Sequence, residues 1–581
     1  MKQYLFPAAL GAFILIFFLG LPDLKTASVG KLQDSVRHPI DRIDIAVMLA
    51  ICLIAGAVSF HNLGNSSSPE TFTDFSSKTE YISFNSAQSV GEIWLFTGVG
   101  TGQYVIEYSE DGESFSPAAV YDQGSADVLK WQRIVPETRF SAVKLRVSGS
   151  GNQWLGEFAA FDEIGNQIAC SSESPNLTDE QALVPEAQNF MNSSYFDEIY
   201  HARTAWEHLN NVYPYEISHP PLGKLIISIG VTLFGMTPFG WRFSGTLFGI
   251  FMLPVMYIFI KKMFGSRLAS TCGTIVFASD FMRFVQTRIA TIDTYAVFFI
   301  LLMYLFMYGF VSSGNKMQLA LSGIFFGIGA ACKWTCIYAG AGLAVLWAAY
   351  WIINRSAGFK SFVKNALFCI PFFIIIPCFI YYLSYIPYGK AMGIRGIFNS
   401  DYLRAVLSNQ EYMFSYHSKL VAEHPYSSVW YQWMLDIRPI LYYLEYFDDG
   451  SRSSFGAFLN PALCWGGLLA LFALIYRAVF TRDKIAGFIV IGYMAQLLPW
   501  MFITRLTFEY HYFPCSVFLV LALAYVFSLM ENSVRRYKAY IISFTGVSCA
   551  LFALFYPALS GARISSTIGT QFLRWLPTWP F

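Results

Sequence analysis

The chain has 581 residues, of which 55% are hydrophobic and 18% aromatic, while only 13% are charged, and its mean hydropathy is positive. A soluble domain carries about a quarter charged residues, so the composition excludes an ordinary soluble enzyme and describes a polytopic membrane protein. The net charge of +1 gives no basis for nucleic-acid binding. Nine of the ten cysteines lie within or beside apolar runs and only Cys170 falls in a polar stretch, so no external disulfide framework is expected.

In chain order, the first domain is 1–60, with apolar runs at about 4–20 and 44–60. Each is long enough to cross about 30 Å of hydrocarbon at about 1.5 Å per residue. The loop between them carries Lys25, Lys31, Arg37 and Arg42, which predicts a cytoplasmic loop and an external N-terminus. A signal peptide is the alternative for the first run, but only Lys2 precedes it and no small-residue cleavage site follows, which favours a retained span.

Residues 61–185 are polar and Ser-rich, with alternating runs such as QYVIEYS and AVKLRVS that predict an external β domain. YVIEYSEDGESFSPAAVY reads as a hairpin closed at Glu110-Asp111-Gly112, and the later strands continue at the spacing of a sandwich. Through Tyr108, Ser109, Asp111, Gly112 and Phe115 the hairpin resembles the YSxDGxxF element of the discoidin family of jelly-roll modules. The resemblance implies a glycan-binding or acceptor-docking module; a ligand-free spacer is the equal alternative.

Residues 186–240 form a candidate catalytic loop with interfacial helices, 241–386 and 456–581 are membrane regions, the second with an external tail, and 387–455 is an external loop with interfacial helices. Ten further apolar runs, at about 241–261, 267–284, 292–311, 318–335, 336–353, 364–386, 456–478, 484–503, 512–530 and 539–558, bring the expected spans to about twelve. Counted alternately, the cytoplasmic turns hold Lys261, Lys262 and Arg267, then Lys316, then Arg355, Lys360 and Lys364, then Arg477, Arg482 and Lys484, then Arg535, Arg536 and Lys538. The other side receives nearly every chemically interesting residue.

Asp197 and Glu198 open the helix FDEIYHARTAWEHL, with His201 four residues on and Arg203 close by. Ser194 with Asp197 also fits a capping box, in which the carboxylate serves only the backbone. An acid beside membrane spans nevertheless costs free energy unless it has a partner or a purpose. His219-Pro220-Pro221 breaks the chain, and a helix restarts at Leu222 with Lys224 in its first turn. There the helix dipole disfavours a cation, so a carboxylate or lipid phosphate partner is expected, with snorkelling as the alternative. Arg288 and Asp293 flank one span, Lys333-Trp334 forms a turn between two others, and Arg505, Glu509 and His511 gather at a third mouth. FSYHSKLVAEHPYSSVWYQWMLDIRP, with His417, His424 and Arg438, reads as an interfacial helix pair. HExxH, paired CxxC, P-loop and GxGxxG motifs do not occur, so neither a metal nor a nucleotide cofactor is expected.

FDEIYHA, HPPLGK, PFGWR, QTRIATIDTY, CKWT, FSYHS, EHPYSSVWYQW, IRP and FEYHYFP, in this order from about Tyr195 to the C-terminus, together resemble the protein O-mannosyltransferase family. The resemblance implies a C-type glycosyltransferase fold of about twelve spans plus interfacial helices, here with the inserted β sandwich. It also implies a polyprenyl-phosphate sugar as donor, an exported protein as acceptor and inversion at the sugar. Carried over, Asp197 is the catalytic carboxylate, with Glu198 beside it as a second catalytic candidate. Lys224, Arg288, Lys333 and Arg505 are candidates for the donor phosphate, supported by His219, Asp293 and His511. A mannose-to-Ser/Thr transferase at the external face of a bacterial plasma membrane is thus the leading expectation. A polymer or glycolipid acceptor is the alternative within enzymes, and a carbohydrate-binding scaffold or a transporter the alternative outside them.

Overall fold

A computed structural model describes residues 4–27 and 39–581. Lys2, weighed for a signal peptide, and Lys31 and Arg37, two of the loop cations that orient the first spans, lie outside these residues. The chain divides into two compact units: residues 62–210 with 226–244, and residues 1–61, 211–225 and 245–581.

The first unit is built on two five-stranded antiparallel sheets. One runs Thr73–Asp74, Trp154–Phe161, Glu92–Thr97, Lys130–Ile134, with Gln167–Ile168 pairing the far end of Trp154–Phe161 on the same edge as Thr73–Asp74; the other runs Cys170–Ser172, Thr79–Val90, Phe140–Gly151, Gly102–Ser109, Ser116–Gln123. Alternation builds the shared core: Tyr104 and Ile106 from one strand meet Leu145 and Val147 from the next, with Leu155 and Phe158 from the opposite sheet. The sheet holding Trp94, Phe96, Trp131 and Ala159 is also buried on its second face, under Phe72, Leu183 and Val184. In the hairpin turn, Asp111 Oδ1 accepts from Ser109 Oγ and from the Glu113 and Ser114 amides, while Gly112 takes φ +86°. The Asp and Gly of the discoidin-like motif therefore serve the turn itself.

The second unit is helical. Among the described residues of the whole chain, nine helices are long and apolar enough to span a membrane: Arg42–Phe60, Pro238–Phe264, Asp293–Ser313, Thr335–Ile353, Phe359–Ala391, Pro461–Thr481, Lys484–Phe502, Glu509–Ser533 and Tyr537–Ser560. The run expected as one span at 267–284 is instead two helices, Arg267–Ala278 and Phe281–Thr287, bent by 58°. Asp280 caps the second through the Arg283 amide and also accepts from Asn460 N, while the Arg283 guanidinium bonds the carbonyls of Phe277 and Ala278. Backbone groups released at the break are thus satisfied by protein, as hydrocarbon surroundings demand. The remaining expected runs are the shorter apolar helices Leu5–Leu19 and Lys316–Cys332, and Leu222–Phe234 is a third of this kind.

The expected interfacial helix pair is one helix, Ser400–Lys419, and a single turn, Trp430–Trp433. The strands Ile440–Tyr446 and Ser451–Ala457 follow, joined through Asp449 and Gly450 (φ +76°), and Ile564–Ser565 adds a third strand. The run beginning at 456 therefore starts as strand and becomes helix only at Pro461.

Loops assigned to one side of the membrane meet each other. Arg477 bonds the carbonyls of Leu24 and Ala27, and Arg267 bonds Asp41 and Asp44. Of the loops assigned to the other side, Arg288 bonds the carbonyls of Ser59 and His61, His417 bonds Ser218 O, and Thr507 bonds Ser428 O.

Candidate active site

In the sandwich-bearing unit the acidic helix runs Glu198–Leu209, with Asp197 as its first flanking residue. The chain enters through Phe196 at φ +46°, a left-handed conformation rare for a bulky side chain and a form of backbone strain that concentrates at functional sites. The capping box read from Ser194 and Asp197 is not formed. The Asp197 side chain makes no cap hydrogen bond, and Ser194 Oγ donates to Val128 O at 2.6 Å.

The two neighbouring acids differ sharply. Asp197 is half-buried, whereas Glu198 is fully buried and paired with Arg242, itself fully buried. All five Arg242 donors find acceptors: Nε and Nη2 reach the Glu198 oxygens at 2.7 Å each, Nη1 reaches Leu63 O and Phe190 O, and Nη2 also reaches Ser193 O. Glu198 Oε2 accepts the Tyr195 amide as well. Glu198, expected beside Asp197 as a second catalytic carboxylate, is therefore committed to holding the loop. Arg242 was visible beforehand only as part of PFGWR.

In the helical unit the cations fall into two states. Lys224 is 1% exposed, and its three N–H groups go to Glu216 Oε2 (2.5 Å), Glu216 O (2.9 Å) and His219 O (2.9 Å). Its expected partner is thus the carboxylate, and no donor remains for a phosphate. Glu216 Oε1 also engages His219 Nδ1 at 3.0 Å, so His219 supports this pair.

Lys333 reaches both oxygens of Asp293 at 2.7 and 2.8 Å and lies over the Tyr510 ring at 5.5 Å. Arg505 is half-buried and, among the described residues, meets a single acceptor, Leu506 O. Arg288, 3% exposed, holds two carbonyls and stacks on Phe284. His511 is enclosed by Trp500, Tyr510 and Trp433, with Nδ1 on its own turn at Phe508.

His417 joins these groups. Its ring lies 5.1 Å from that of His219 and 6.2 Å from that of Trp334, next in sequence to Lys333. Burial, then the His219 ring and the charges of Arg505 and Lys333, push the imidazole down to about 4, so it is neutral at physiological pH. With Nε2 donating to Ser218 O, the buried Nδ1 keeps a lone pair with no hydrogen-bond partner among the described residues. In the sequence His417 stands only within the expected interfacial helix pair and Glu216 carries no local signal, because their partners lie at a distance in the chain or in a turn of irregular backbone. The polar cross-link from Trp334 Nε1 through Tyr381 to Gln410 and Tyr385 then fixes the helix bearing His417.

One group of three carboxylates among the described residues is close enough to share a cation: Glu157, Asp179 and Glu180, in the sandwich. The Glu157 oxygens already accept the Phe158 and Glu180 amides, and no other feature there indicates a ligand.

Residues 218–381 match the family of dolichyl-phosphate-mannose-protein mannosyltransferases, and residues 402–579 match the C-terminal four TMM region of protein-O-mannosyltransferase. The polyprenol-phosphate-mannose–protein mannosyltransferase of Mycolicibacterium smegmatis is 26% identical over 66% of this chain and 87% of its own length. The protein of the same name from Mycobacterium tuberculosis is 24% identical over 66% and 86%. Among solved structures, the S. cerevisiae Pmt1-Pmt2 complex bound to the sugar donor aligns with 67% of this chain and 89% of its own at a TM-score of 0.59. At 12% identity that likeness speaks for the fold alone, the C-type glycosyltransferase fold. The two matched regions contain Lys224, Arg288, Lys333 and Arg505, and Asp197 precedes both. The chain belongs to the protein O-mannosyltransferase family.

Proposed function

We propose that this protein transfers mannose from a polyprenyl-phosphate carrier to the Ser or Thr hydroxyls of exported proteins, at the external face of a bacterial plasma membrane. The observation that carries this reading is the Lys333 and Arg505 cluster beside neutral His417, within the regions that match the mannosyltransferase family.

Asp197 takes the proton of the acceptor hydroxyl as that oxygen bonds to the anomeric carbon and the carbon–phosphate oxygen bond breaks. Attack opposite the leaving group inverts the anomeric centre. The oxocarbenium-like transition state passes negative charge to the departing lipid phosphate. Lys333 and Arg505 receive that charge, Arg288 assists, and Asp293 holds the Lys333 ammonium until phosphate competes for it. The Nδ1 lone pair of His417 suits a sugar hydroxyl, which needs an acceptor and not another cation. Lys224 belongs to the frame of the His219 turn.

The test is an incubation of purified protein with polyprenyl-phosphate [14C]mannose and a Ser/Thr-containing acceptor peptide. Label in the peptide, released by alkaline β-elimination, is the expected result. Label confined to lipid or polymer would replace the acceptor, and no transfer would remove the proposal.

A further inference from the structure

We infer that the β sandwich is the mount that sets the position of Asp197, with Thr97 and Ser194 as positioning residues for the transfer step. The inference rests on reading Asp197 as the proton acceptor.

A linked series of hydrogen bonds runs from the sandwich core to the helix head. Thr97, 0% exposed and the last residue of strand Glu92–Thr97, accepts the Leu129 amide on its carbonyl at 2.8 Å. Its hydroxyl lies 2.5 Å from Asp127 O and 2.9 Å from Lys130 O, closing the 127–130 segment over the strand end. Within that segment Leu129 takes φ +57°, a left-handed conformation costing about 1–2 kcal/mol for a residue with a Cβ. Val128 O receives Ser194 Oγ at 2.6 Å, and Leu129 O receives Ser194 N at 3.0 Å. Ser193 Oγ accepts from Trp131 N at 3.4 Å. The next four residues are the closed turn Tyr195 to Glu198 that carries Asp197, in which Glu198 N bonds Tyr195 O.

A second attachment fixes the helix body. Trp206 meets the rings of Phe72 and Trp154 edge-on, at 5.4 and 5.6 Å, on the sandwich. A spacer or an independently moving docking module needs neither the strained Leu129 nor serines bonded to sandwich backbone. Both features are explained if the insert holds the acid in place, because a misplacement of about 1 Å costs a reaction about 100-fold in rate.

The experiment compares wild type with Thr97→Val and Ser194→Ala, each of which deletes a hydroxyl, and with Thr97→Ser and Ser194→Thr, which keep it. Mannosyl transfer to the peptide is followed alongside hydrogen exchange of the amides of 195–201. The expected result is a 10- to 100-fold fall in kcat in the deletion variants, on the scale of about 100-fold per ångström. KM for the donor stays unchanged, exchange of 195–201 is at least 10-fold faster, and the hydroxyl-keeping variants behave as wild type. Unchanged kcat and exchange would overturn the inference, and so would an effect confined to KM for the acceptor peptide, which marks a docking module. Should a deletion variant fail to fold, Thr97→Ser and Ser194→Thr decide alone: kcat and exchange within twofold of wild type are expected, and a 10-fold fall in kcat without faster exchange overturns the inference. A wild-type protein that transfers no mannose overturns the proposed function, and the exchange measurement still decides whether the sandwich holds the loop.

Discussion

Two buried acid–base pairs, Glu198 with Arg242 and Asp293 with Lys333, look alike in an inventory of contacts and differ in what they leave open. The Arg242 pair is sealed: neither side chain is exposed, and every guanidinium donor is used on the carboxylate or on the backbone of residues 63, 190 and 193. The Lys333 pair keeps 9% and 10% of its side chains exposed and is bordered by the Tyr510 ring. A sealed pair is scaffold, because nothing can replace either partner without leaving a charge alone in a dry site. A pair with an open edge can exchange one anion for another, which is what a departing phosphate requires.

The largest expected effect breaks the sealed pair. Arg242→Ala leaves the Glu198 carboxylate buried without its cation and should cost about 3–5 kcal/mol of stability. Replacing both residues by apolar side chains of similar volume should recover most of it. Thermal unfolding of the purified protein checks both; equal melting of Arg242→Ala and wild type would mean the pair is not sealed.

Next in size is the open pair. Lys333→Met should lower mannosyl transfer about 100-fold, the scale of removing one donor to developing negative charge, while melting changes little. Asp293→Asn should be milder, because it keeps Lys333 and weakens only its competitor. If Lys333→Met unfolds the protein as Arg242→Ala does, the distinction between the pairs fails.

The smallest effect lies in the sandwich and sharpens the comparison by showing a carboxyl buried with no cation at all. Burial pushes Glu157 up to about 8 even though two amides favour its ionised form. The folded protein therefore holds a proton on Glu157 that the unfolded chain releases in the ordinary carboxylate range, so this group's contribution to stability is fully present below that range and is lost as pH rises toward about 8. Glu157→Gln should flatten that decline in melting temperature; an unchanged slope would place its origin elsewhere.

What the sequence made legible follows from the range of the forces involved. Apolar runs are a local record of composition, so the nine helices long enough to span a membrane among the described residues were legible, and the Asp111-Gly112 turn declared itself because its bonds are local. The break at Ser279-Asp280 did not, because a two-residue polar interruption in an apolar run looks like a buried cap until Asn460, 180 residues later, is seen to bind it. The strands Ile440–Tyr446 and Ser451–Ala457 were missed because the second merges into an apolar run, although the Asp-Gly signal at 449–450 was present. Asp197 stood out by its setting, whereas the separate fate of Glu198 depended on Arg242, 44 positions away. Adjacent acids cannot be told apart until their partners are known.

The central claim, that Asp197 and not Glu198 moves the acceptor proton, is tested most directly by Asp197→Asn in the purified transfer assay with donor binding measured in parallel. A fall in transfer of about 100- to 10,000-fold, the contribution of a general base, with donor affinity and melting temperature unchanged, is the predicted result. Transfer within twofold of wild type would contradict it.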